Sequence, residues 1–111
     1  MLYEISPLPT DSIATLGLRF RLVDVREDDE CREPPIVSDY HIPFSQFDIT
    51  QLRLSKDTKI LVVCAHGQRS LTITNLLREK GWSNTFSLNG GLSNLFETVP
   101  TDVFSENSRA A

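Results

Sequence analysis

The sequence predicts an α/β fold with a mostly parallel sheet. Three observations carry this. Two short runs rich in β-branched residues, RLVDV (21–25) and KILVV (59–63), are each bounded by charge. A strongly helical stretch over 69–80 follows the second run, and another β-rich run, NTFSL (84–88), follows the helix. Strands buried on both faces read as continuous apolar runs, and an intervening helix is what joins parallel neighbours. Loops at the carboxyl ends of such strands form the binding crevice. Cys64 stands at one of these ends.

Taken in order along the chain, LYEI near the start reads as an edge strand. Thr10 or Asp11 is placed to cap a short helix ending at Gly17, because side-chain oxygens favour the N-cap and glycine the C-terminal end. Residues 21–25 and 59–63 are the central strands, with IVSDYHI (36–42) a weaker candidate between them. The helix over 69–80 has Ile73, Leu76 and Leu77 at helical spacing, Arg78 and Lys80 at the negative end of its dipole, and Gly81 as its stop. Residues 84–88 supply a further strand. No repeat, low-complexity segment or linker divides residues 1–100, which are expected to form one domain, and 101–111 reads as a polar tail.

Bulk properties narrow the function. A chain of 111 residues with 40% apolar content supports one core and is too short for two. A net charge of -4 leaves no broad basic surface. Nucleic acid is therefore excluded as an expected partner, and an anionic substrate must meet local positive charge. Apolar runs such as 60–65 fall far below the roughly 20 residues of a membrane span. MLYEISPLPTDS lacks the basic and apolar regions of a secretory signal. The expectation is a soluble, cytoplasmic protein with no membrane partner. Two cysteines outside any CxxC pair and two histidines give neither a disulfide framework nor zinc-ligand spacing, so no metal is expected.

The stretch KILVVCAHGQRSL then poses the chemical question. A thiol between a strand end and a helix start faces the backbone N–H groups of the turn and the positive end of the helix dipole, which together favour a thiolate. Arg69 adds a fixed charge, Ser70 a hydroxyl within reach of sulfur, and Gly67 a turn without a Cβ clash. A lone cysteine here would read as a small buried hydrophobe. With Gly67, Arg69 and Ser70 inside one turn, Cys64 reads as a nucleophile. His66 is either a second cationic or hydrogen-bonding group facing substrate or a solvent-facing turn residue. Cys31, in the charged segment REDDECRE, reads as an ordinary thiol unless it approaches Cys64 as a resolving partner.

Three stretches now resemble one family. LVDVRE (22–27), VVCAHGQRS (62–70) and GWSNTFSLNGGL (81–92), in this order and separation, are similar to the rhodanese-like sulfurtransferases. The resemblance implies a five-stranded, mostly parallel sheet with helices on both faces. It also implies that Cys64 takes a sulfane sulfur from a donor, holds it as a persulfide and passes it to a thiol, cyanide or protein acceptor, with no metal or organic cofactor. On this view the backbone of Ala65, His66, Gly67, Gln68, Arg69 and Ser70 stabilises the charged sulfur, and Arg69 binds the donor's anionic group. Asp24 and Arg26 tie the strand end to the active-site wall, while Glu27 and its acidic neighbours solvate a short helix. Related phosphatases of the same fold carry one more residue between cysteine and arginine. Here Cys64 and Arg69 enclose four residues, a ring sized for sulfur.

The departures from the family pattern concern the donor. Ala65 and Gln68 stand where thiosulfate-using members commonly carry basic residues, which lowers the positive potential and points from thiosulfate toward a protein persulfide or another thiol. The Arg-Ser pair is absent from the loop of mercaptopyruvate-specific members. PPIVS occupies the place of the family's GHIPG, so His41 receives no catalytic role, and Leu95 replaces a common aromatic. Three alternatives stay open: a non-catalytic binding or regulatory domain, a sulfur-delivery module of a larger cofactor or tRNA thiolation system, and a redox-sensing thiol protein.

Overall fold

The computed structural model describes residues 3–32 and 35–97. The tail expected over 101–111 lies outside the described residues. Five strands among the described residues form one sheet: β1 (Glu4–Ile5), β2 (Arg21–Asp24), β3 (Tyr40–His41), β4 (Ile60–Val63) and β5 (Thr85–Leu88). Their order is β1-β5-β4-β2-β3, and every pairing is parallel. The register sets Asp24 beside Val63 and Val62 beside Ser87, so the carboxyl ends of β2, β4 and β5 lie together.

Among the described residues three α-helices cover the sheet: α1 (Ile13–Arg19), α2 (Gln68–Glu79) and α3 (Gly91–Glu97). All four β4 residues are buried. Ile60 and Val62 pack with Ile73 and Leu77 of α2 on one face, while Leu61 and Val63 pack with Leu16 of α1 and Leu92 and Leu95 of α3 on the other. Helices on both faces are therefore what the continuous ILVV run required. Each fully buried aliphatic side chain contributes about 1.5–3 kcal/mol. No helix among the described residues is long and apolar enough to cross a membrane.

Local details correct three expectations. Ser12, not Thr10 or Asp11, caps α1: its side chain accepts from the Thr15 N–H at 3.2 Å, and Thr15 Oγ1 accepts from the Ser12 N–H at 2.7 Å. Asp11 instead accepts from the Leu8 N–H at 2.8 Å and pairs with Arg19. Gly17 lies inside α1, and the helix ends where Phe20 becomes extended (φ -131°). A methyl at Gly17 would meet only ordinary contact, Leu22 Cδ1 at 3.6 Å, so neither φ nor space makes this glycine a stop. The weak strand candidate shrinks to Tyr40–His41, and α3 is a helix that the sequence reading did not contain.

Candidate active site

Cys64 follows β4 directly and is buried, with 1% exposure. Its Sγ accepts the Gly67 N–H at 3.1 Å and the Ser70 N–H at 3.3 Å, and lies 3.3 Å from Ser70 Oγ. A helix can begin this soon after the strand because Gly67, the N-cap of α2, adopts φ +97°. A Cβ there would also stand 3.0 Å from the Gly90 nitrogen. Glycine is required on both counts.

The outer side of the turn is fixed by α3. The Cys64 carbonyl accepts the Leu92 N–H at 2.9 Å, and the Ala65 carbonyl accepts the Ser93 N–H at 3.0 Å. With its carbonyls taken up by the first turn of α3, the loop turns N–H groups toward sulfur. Two of the expected amide donors, those of Gly67 and Ser70, reach Sγ. Ala65 and Arg69 are half-buried, while His66 and Gln68 are exposed.

A hydroxyl chain continues inward. Ser70 Oγ lies 2.7 Å from Ser87 Oγ, and both residues are fully buried. Ser87 was not singled out by sequence. Its signal was a small polar residue inside a strand between apolar neighbours, since a buried hydroxyl needs a partner.

The DVR segment leads from the end of β2 into the chain that carries Glu30. Asp24 and Arg26, 2% and 1% exposed, form a buried ion pair in which Arg26 Nε donates to both carboxylate oxygens at 3.1 Å and Nη2 donates at 2.9 Å. Arg26 Nη1 also donates to the Glu30 carbonyl at 3.1 Å. The pair thus holds the chain that carries Glu30.

The acidic neighbours do more than solvate a short helix, which corrects that expectation. Glu27 accepts from the Ser45 N–H at 2.9 Å and from Ser45 Oγ at 2.7 Å, and these bonds lower its carboxyl below the usual range. Glu30 forms a two-pronged pair with Arg69: Nη1 to Oε1 at 2.6 Å and Nη2 to Oε2 at 2.7 Å. Those hydrogen bonds bring the Glu30 carboxyl down to about 2 and raise Arg69 further. The arginine expected to grip a donor anion is engaged by a carboxylate of its own chain. Nothing local in the sequence signals this pairing.

Cys31 is half-buried, and burial raises its thiol. Its sulfur lies 3.1 Å from His41 Nε2 and 3.7 Å from Asp24 Oδ2. His41 Nε2 is also 2.8 Å from the Arg26 carbonyl oxygen, which identifies it as a donor to that oxygen. Among the described residues, no three His, Cys, Asp or Glu side chains converge into a metal-binding group. An apolar groove of about 550 Å³ between α1, residues 35–39 and Phe96 includes none of the Cys64 loop.

The sequence pattern of the rhodanese-like domain matches residues 11–98. Thiosulfate sulfurtransferase GlpE of Coxiella burnetii is 28% identical over 86 residues, spanning 78% of this chain and 80% of that protein. A rhodanese-related protein from Thermoplasma volcanium superposes with a TM-score of 0.68 at 30% identity, covering 87% of this chain and 94% of that one. The human single-domain sulfurtransferase TSTD1 shares the fold, with a TM-score of 0.66 at 23% identity over 86% of this chain and 96% of that one.

Proposed function

The chain belongs to the family of rhodanese-like domains, and from that premise we propose that it is a sulfurtransferase that carries a sulfane sulfur as a persulfide on Cys64. One observation carries the reading: a buried sulfur that accepts the Gly67 and Ser70 N–H groups beside the Ser70 hydroxyl. Donors held in place before reaction stabilise a charged sulfur more than a neutral one, and burial strengthens the effect. Four residues between Cys64 and Arg69 make this ring one for sulfur rather than for phosphate.

The transfer has two displacements. In the first, the Cys64 thiolate attacks the donor's sulfane sulfur. The new S–S bond forms as the donor's own bond to that sulfur breaks, and the leaving group departs with the electron pair: sulfite from thiosulfate, a thiolate from a thiol persulfide. In the second, a nucleophilic acceptor attacks the outer sulfur and Cys64 leaves as thiolate. A cyanide acceptor yields thiocyanate, and a small-molecule or protein thiol yields a persulfide. The same N–H groups face the sulfur as it gains and loses charge in each step. Arg69 and the backbone from Ala65 to Ser70 form the donor-facing wall, with Asp24 and Arg26 as its support.

The test is intact mass after incubation with thiosulfate, mercaptopyruvate, or a cysteine desulfurase with cysteine. Gain of one sulfur atom by the protein, absent from Cys64→Ser, is expected. Folded protein that gains none from any of these donors would overturn the reading and leave a non-catalytic domain.

A further inference from the structure

The loop from Cys64 to Ser70 contains one fixed cation, Arg69. Both of its terminal nitrogens are used, each on a different oxygen of Glu30. This fork-to-fork geometry is the one by which arginine would otherwise hold an oxyanion. Glu30 is itself well held. Its Oε1 accepts the Glu27 N–H at 2.8 Å, and its carbonyl accepts Arg26 Nη1, whose guanidinium is locked to Asp24 in the buried pair. A third carboxylate, Glu27, is held close by through Ser45 and acts electrostatically on both Glu30 and Arg69. The charged groups that act on the arginine are therefore the carboxylates of Glu30 and Glu27 and the Cys64 sulfur, Arg26 is tied to Asp24, and the adjoining positions Ala65 and Gln68 add no positive charge.

We propose that Glu30 is a specificity-determining residue, which by occupying the fork of Arg69 sets the Cys64 loop against dianionic thiosulfate and in favour of the singly charged persulfide of a thiol. The inference rests on the sulfur-transfer reading and names its donor class. Thiosulfate brings two negative charges and a tetrahedral oxyanion head that needs the arginine Glu30 holds. A thiol persulfide needs no such grip. Cys64 attacks its outer sulfur, the bond between that sulfur and the donor thiol breaks, the thiol leaves as thiolate, and the outer sulfur keeps its own proton or charge. No oxidant or reductant is required. Specificity of this kind works against the unwanted ligand, by a repelling carboxylate and an occupied binding group, rather than through added contacts to the preferred one.

The test compares kcat/KM for loading Cys64 from thiosulfate and from cysteine persulfide in the unaltered protein, Glu30→Gln and Glu30→Ala. The ratio of thiosulfate to cysteine persulfide is expected to rise about tenfold in both variants, chiefly through a lower thiosulfate KM, and a change under about threefold or a fall overturns the proposal. A merely structural glutamate would lower both rates together and leave the ratio unmoved. Thiosulfate binding to Cys64→Ala, with and without Glu30→Gln, gives a reading without sulfur transfer. Tighter binding by about fivefold is expected with Glu30→Gln, and equal binding refutes the role of Glu30. If no donor loads Cys64 at all, the transfer reading falls by itself and this binding comparison still decides on Glu30.

Discussion

Gly91 passes so close to Ala65 that a Cβ on Gly91 would stand 2.4 Å from the Ala65 carbonyl oxygen, and its φ of +69° is one that side chains rarely adopt. This approach lets the start of α3 donate to the Cys64 and Ala65 carbonyls. Gly91→Ala must therefore move the cysteine loop or α3. A loss of about 2–4 kcal/mol in urea unfolding is expected, from backbone strain and the displaced contacts. Faster alkylation of Cys64 by iodoacetamide should accompany it as the thiol loses its cover. A variant within about 0.5 kcal/mol of the parent would show that the loop does not depend on this contact.

Ser70 Oγ lies 3.3 Å from the Cys64 sulfur and 2.7 Å from Ser87 Oγ. A hydroxyl bonded to a thiolate favours the charged form. At neutral pH, Ser70→Ala should slow alkylation of Cys64 about three- to tenfold, and Ser87→Ala less, since it acts only by orienting Ser70. Equal rates in all three proteins would mean that the hydroxyl chain does not influence the sulfur.

The Glu30–Arg69 pair predicts a pH dependence of stability. The folded state lowers the Glu30 carboxyl from an ordinary 4.5 to about 2. Its contribution is therefore complete above pH 4.5 and is lost as pH falls from there toward 2. Because the Arg69 and Glu30 side chains are 28% and 33% exposed, solvent screening limits the pair to about 1 kcal/mol. Unfolding of the parent and of Glu30→Gln, followed from neutral to acid pH, should give a constant difference that shrinks below pH 4.5. A difference that persists or grows toward acid would rule out the ion pair as its source.

The elements most legible in the sequence were those whose signals are local and redundant. The run at β4 is apolar at every position because both of its faces are buried, and α2 shows its period, its basic end and Gly81 together. Gly17 misled because a glycine is only a weak local preference, whereas the turn at Phe20 set the end of α1. The short α3 was missed because its seven residues carry too little periodicity, although Leu92 and Leu95 are core residues.

The sequence by itself determined the α/β class, the placing of a thiol at a strand-to-helix turn, and the spacing of four residues that sizes that turn. These follow from backbone sterics and periodic burial, which act over a few residues. Only the tertiary structure decided what surrounds the thiol: Ser87 reaches Ser70 across 17 residues, and Glu30 reaches Arg69 across 39. A parallel sheet gathers the ends of strands far apart in the chain, so what the fork of Arg69 engages is settled by a partner no neighbouring residue could announce.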